Sequence, residues 1–320
     1  MNPHPLALRR GESPADWLGR SASGLVQPVL HRAQQPAAAL TETVHLIRVT
    51  TKRLRALLQL IRPALRKATF TQEYARLRAA SARLAAARDC QVARQTLQAL
   101  LQSSRARPHR AALRLLPLFQ ATAAPPAHPA AQAIAASTLD LEKSRQFFLS
   151  VHLPENGWSS IAAGLQASYR RARRRWKKAR SRQDDPSLHR WRTAAKQLAY
   201  QLTWLTPVRP KRFSKLAARL RQLEKDLGAA HDLISLRSSL FSPSAPKPRS
   251  PAHTWLRRAI RQRYRRLQSC CLASGSALFA HHPRHFAPKN RALRPGKPTS
   301  PNSSPAPKTA RAPSQRTSDM

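Results

Sequence analysis

Acidic side chains are the scarcest resource of this chain: 14 Asp and Glu stand against 58 Lys and Arg in 320 residues. So few carboxylates exclude most sites that hold a divalent metal for phosphoanhydride chemistry. Cysteine is nearly as rare. Cys90, Cys270 and Cys271 form no C-x-x-C pair and no disulfide framework, which predicts reduced thiols in a cytosolic protein. Only 8 glycines occur, and no G-x-x-x-x-G-K-[ST] phosphate loop is among them. No apolar run approaches the roughly 20 residues that cross a bilayer. The first residues, MNPHPLALRR, lack the apolar core of a signal peptide. The expectation is a soluble, cytoplasmic protein with no membrane span.

What the chain has instead is positive charge, with a formal net charge of +44. Such an imbalance opposes compaction by self-repulsion and calls for a polyanionic partner. The apolar content is mostly Ala and Leu, and β-branched residues are few. That composition favours helix and predicts an all-α fold.

The charge is organised. His45–Arg55 reads HLIRVTTKRLR. At about 100° per residue, His45, Arg48, Lys52 and Arg55 share an arc of roughly 80°. Leu46, Ile47, Leu54, Leu57, Leu58 and Ile61 fall on the opposite side. No acid lies between Thr43 and Phe70. Solvated helices usually mix both signs, so a single-signed stripe points to an anionic ligand. Arg offers a planar fork to phosphate oxygens and Lys a point charge. Arg53 adds to the same run.

The pattern recurs at His189–Tyr200, HRWRTAAKQLAY, with His189, Arg192 and Lys196 at the same spacing. Pro63 and Pro207 end the two helices alike. Ala75–Asp89 (ARLRAASARLAAARD) matches Ala218–Asp232 (ARLRQLEKDLGAAHD). The chain reads as a duplicated unit of about 140 residues, with two stripes facing a shared cleft. The second stripe is poorer, since Gln197 and Ala199 stand where the first has Arg53 and Arg55. Arg88 and His231 occupy matching places in the two units and join the candidate set. Asp89 and Asp232 are the acids retained in both units. Each could orient a stripe cation or cap a helix. Between the stripes, Tyr169–Arg182 (YRRARRRWKKARSR) adds Arg170, Arg173, Arg174 and Lys177 as further candidate ligands.

Other chemistries fare worse. His231-Asp232 looks like half of a metal site, but the first unit has Arg88-Asp89 there, and an Arg would repel a cation. No metal, cofactor or catalytic constellation is expected. A single-stranded nucleic-acid binder needs exposed aromatics among its cations. Of Trp17, Trp158, Trp176, Trp191, Trp204 and Trp255, only Trp176 and Trp191 are placed for that. The deficit favours a baseless polyanion, and nucleic acid stays as the alternative partner.

Taken together, the two His-x-x-Arg-x-x-x-Lys helices and the Leu-x-x-x-Arg-Asp and Leu-Gly-x-x-His-Asp turns at Leu84–Asp89 and Leu227–Asp232 resemble the CHAD domain, the conserved histidine α-helical domain. The resemblance spans about residues 8–241, or 8–272 with the final basic helix. It implies two pseudo-symmetric helical bundles around a basic cavity, and non-enzymatic binding of inorganic polyphosphate, often at polyphosphate granules.

The expected organisation follows. An N-terminal bundle covers 8–153 and a C-terminal bundle 154–272, the latter including a Pro/Ser linker at 242–251 and a final basic helix. A disordered, basic, Pro-rich tail is expected over 281–320. Helices are expected at 13–32, 36–61, 71–87, 88–103, 131–152 and 158–182, then through the second stripe, 213–227, 231–240 and 254–271.

Overall fold

The structure, a computed structural model, describes residues 4–9, 11–35, 40–84, 86–102, 127–154, 157–241, 251–283 and 286. The side chains of 86–91, 127–129 and 251–252 fall outside that description, as do residues 103–126, residues 242–250 of the linker and nearly all of the expected tail. Among the described residues the fold is all-α. The helices are α1 (Pro14–Ala33), α2 (Leu40–Ile61), α3 (Lys67–Ala82), α4 (Ala86–Gln102), α5 (Ala127–Ser150), α6 (Gly157–Arg182), α7 (Asp185–Trp204), α8 (Pro210–Leu240) and α9 (Pro251–Leu278).

Local chemistry sets the helix ends. Ser13 caps α1 by accepting from Asp16 N at 3.1 Å, with Pro14 at the first position. Asp184 caps α7 by accepting from Ser187 N at 2.7 Å. Pro63 and Pro207 each sit in a short 3-10 turn that follows a stripe helix, Arg62–Ala64 after α2 and Thr206–Val208 after α7.

Helix α2 is central, touching α1, α3, α5, α6 and α7. Its inner face, Ile47, Leu54, Leu57, Leu58 and Ile61, is fully buried. Two polar ties fix its neighbours. Thr50 Oγ1 donates to Leu25 O of α1 at 3.2 Å, and Gln201 Nε2 of α7 donates to Ala56 O at 2.8 Å. Helix α6 crosses α2 closely at Gly164, where a Cβ would stand 1.7 Å from Leu60 O. The main core draws on both halves of the chain, from Leu6 to Phe286. A second cluster joins α4, the end of α8 and α9 through Leu97, Leu236, Leu256 and Ile260.

Two expectations are corrected. Leu227–Asp232 is not a turn: α8 runs unbroken from Pro210 to Leu240 where two helices were expected. A single buried line, Leu223, Leu227, Ala230, Leu233, Leu236 and Leu240, continues through Gly228 without a proline to stop it. The chain also keeps packing beyond His281. Phe286 is 2% exposed and stacks on Tyr169 with ring centroids 3.8 Å apart. Stacking on Tyr169 buries the Phe286 ring, which outweighs the cationic composition around that one position.

A basic cavity between the two stripe helices

Helices α2 and α7 pack side by side, and their cationic faces line one cavity of about 350 Å³. From α2 come His45, Arg48, Lys52 and Arg55; from α7 come His189, Arg192, Lys196, Gln197 and Tyr200; from α8 come His231, Asp232 and Ser235. The buried faces of α2 and α7 point into the core, so the opposite faces must turn here.

Arg48, Arg55 and Arg192 each have a neighbour that positions them. Arg48 Nη1 donates to Leu84 O at 3.0 Å, which ties α2 to the chain just past α3. The Arg55 guanidinium lies 5.8 Å from the Tyr74 ring centre. Arg192 lies flat on α8 because residue 228 is glycine: a Cβ there would meet its Nη2 at 3.1 Å and its Nε at 3.4 Å. The Nε atoms of Arg55 and Arg192 are buried and have no hydrogen-bond acceptor among the described residues. Buried donors of this kind suit an incoming oxyanion.

Glu224 of α8 is the carboxylate that binds the second stripe. It accepts from Lys196 Nζ at 2.7 Å and from Arg192 Nη2 at 3.4 Å. Sequence reasoning assigned such a role to Asp232, which lines the cavity but makes no ion pair with the described residues. Asp232 cannot cap a helix either, being interior to α8. The counterpart of Glu224 in the first unit is Ser81, so the two stripes meet different electrostatics.

The His189 and His231 rings touch, with centroids 4.8 Å apart. Partial burial lowers the His189 pKa below its ordinary value, and His231, Arg192 and Arg190 push the same way. His189 is therefore mainly neutral at pH 7, and an anion beside it favours the protonated ring, which donates from both nitrogens.

Not every predicted ligand is gathered here. Arg53 lies over the Tyr200 ring at 5.8 Å and does not line the cavity. About 120° separates it from the stripe centre on the helix, a signal already present in the sequence. Arg170, Arg174 and Lys177 of α6 are exposed away from the cavity. Arg173 is occupied structurally, its Nε donating to Phe279 O at 2.9 Å. The side chains of Arg88 and Asp89 lie outside the described residues. Tyr200 and Ser235 line the cavity and had not been proposed as ligands; their place depends on the rotation of α7 and α8, which periodicity alone does not supply. Among the described residues no three His, Cys, Asp or Glu side chains group as metal ligands. No described helix is long and apolar enough to cross a membrane.

Comparison with known proteins fits this architecture. No curated protein matches the chain. A crystal structure of the CHAD domain from the plant Ricinus communis superposes with a TM-score of 0.57 at 18% identity, covering 88% of this chain and 96% of that one. At that identity the likeness speaks to the fold alone. The family model for the CHAD domain matches residues 29–241, which include α2, α7, α8 and every residue that lines the cavity. The chain belongs to the CHAD domain family.

Proposed function

We propose that the protein binds inorganic polyphosphate in the α2–α7 cavity and does not turn it over. The observation that carries this reading is the convergence of Arg48, Lys52 and Arg55 with Arg192 and Lys196 on one cavity, where Asp232 is the acid among the described lining residues and Glu224 pairs with Arg192 and Lys196. Cations three and four apart repeat about every 5 Å along each helix, so one stripe meets several consecutive phosphates of a linear chain. No tryptophan lines the cavity among the described residues. Trp17, Trp158, Trp176, Trp191 and Trp204 are all buried, and Trp176 and Trp191 give their faces to the core. A cytoplasmic, granule-associated location would accord with such a ligand.

A competition tests the reading. Labelled long-chain polyphosphate is bound to the full chain at about 0.15 M salt and challenged with duplex DNA, single-stranded RNA and heparin at equal charge. The reading requires polyphosphate to compete best by a wide margin. Equal competition by all four would make the charge generic. Release of orthophosphate with Mg²⁺ present would overturn the non-enzymatic part.

A further inference from the structure

Helix α9 lies wholly beyond residues 29–241, the part that the family model matches. Between α9, the C-terminal end of α8 and the start of α7 is an open groove of about 780 Å³. Four arginines line it: Arg237 of α8 and Arg257, Arg261 and Arg265 of α9. The last three are exposed and form an i, i+4, i+8 row that rises about 6 Å per step.

The acid in the groove is already committed. Asp185 accepts from Tyr264 Oη at 2.6 Å and from Arg237 Nη2 at 3.3 Å. Arg257, Arg261 and Arg265 make no ion pair with the described residues. Two half-exposed rings, Phe241 and Tyr264, sit among these cations, and Arg257 lies 4.6 Å over Phe241. Cations in a row with aromatic rings between them are what a chain of phosphates bearing flat bases requires: the arginines meet the backbone, the rings take the bases. A baseless polyanion would leave the rings unused.

We infer that the α8–α9 groove is a second, separate site, and that it binds single-stranded nucleic acid.

The test uses the full chain and a 4-thiouridine-bearing single-stranded oligouridylate. After irradiation, cross-linked peptides are mapped by mass spectrometry. The inference expects adducts within 237–268; adducts confined to other parts of the chain overturn it. In parallel, the Arg257→Gln/Arg261→Gln/Arg265→Gln variant is titrated with the same oligonucleotide over a range of salt. The slope of log affinity against log salt should become shallower by about 2, at roughly 0.7 for each phosphate no longer neutralised. The control is Lys211→Gln/Lys215→Gln/Arg219→Gln, which removes the same charge at the same spacing from the exposed N-terminal half of α8, away from the groove. An equal drop in the control overturns the inference, as does displacement of the cross-link by polyphosphate as readily as by unlabelled oligonucleotide. Polyphosphate affinity of the triple variant reports separately on the α2–α7 cavity.

Discussion

Lys196 Nζ stands 2.7 Å from Glu224 Oε1, and this contact makes the two halves of the cavity unequal. Both side chains are about four-fifths covered, at 25% and 20% exposure. The carboxylate holds Lys196 and Arg192 where a phosphate oxygen would otherwise sit. Replacing Glu224 by Gln should lower the stability of the ligand-free protein by up to about 1 kcal/mol, as for a partly exposed pair. The same change should tighten polyphosphate binding several-fold, because the ligand no longer competes with a fixed anion. Asp226→Asn, an equal charge change on another face of α8, should leave affinity within error. Thermal unfolding and titration calorimetry check both directions.

Acidification should strengthen binding. The depressed pKa of His189 means that the free protein holds it mainly neutral at pH 7. An anion beside the His189–His231 pair favours the imidazolium, so binding takes up protons and affinity climbs as pH falls below about 6.5. Ligand-free stability moves the opposite way, since the unfolded chain protonates this histidine first and gains as pH falls through 6.5. A His189→Gln/His231→Gln variant should flatten the affinity profile and reduce the slope of the stability profile, where His4, its pKa also lowered by burial, keeps a share. A wild-type affinity that is level from pH 8 to 5.5 would contradict the assignment.

Gly164→Ala should be among the most damaging single changes. The added Cβ would stand 1.7 Å from Leu60 O, and backbone on both sides cannot yield. Overpacking of this severity costs about 3 kcal/mol or more. Helices α6 and α2 would separate and take the first stripe with them, so thermal unfolding should shift down by several degrees.

Gly228→Ala should separate stability from binding. Alanine is preferred in a helix interior by up to about 1 kcal/mol. Its Cβ, however, meets the Arg192 guanidinium at 3.1–3.5 Å, and a flexible side chain can move aside. Stability should hold or rise while polyphosphate affinity drops a few-fold. Chemical denaturation and titration on one preparation measure both.

Much of this architecture is written locally in the chain. Ser13-Pro14 and Asp184–Pro186 are start signals that depend on their own neighbours, and Pro63 and Pro207 are stops that need no partner. The α2 stripe is a matter of 3.6-residue periodicity, and Arg48, Lys52 and Arg55 do line the cavity. What the sequence hid is relational. Glu224 lies 28 residues past Lys196 in another helix, and its meeting with α7 depends on rotational register. Gly228 looked like a turn residue and instead gives room to an arginine within a continuous helix. Phe286 sits in a stretch whose composition suggests disorder, and its burial comes from Tyr169, 117 positions earlier in the sequence.

The most direct measurement concerns the first stripe. Lys52→Glu/Arg55→Glu reverses two cavity cations on an outer helix face and leaves the buried line of α2 untouched. Polyphosphate affinity at about 0.15 M salt should fall at least a hundredfold, and its salt dependence should flatten because fewer phosphates are neutralised, while circular dichroism keeps the wild-type helix content. Binding that survives at wild-type strength in a folded double variant would remove the cavity from the account.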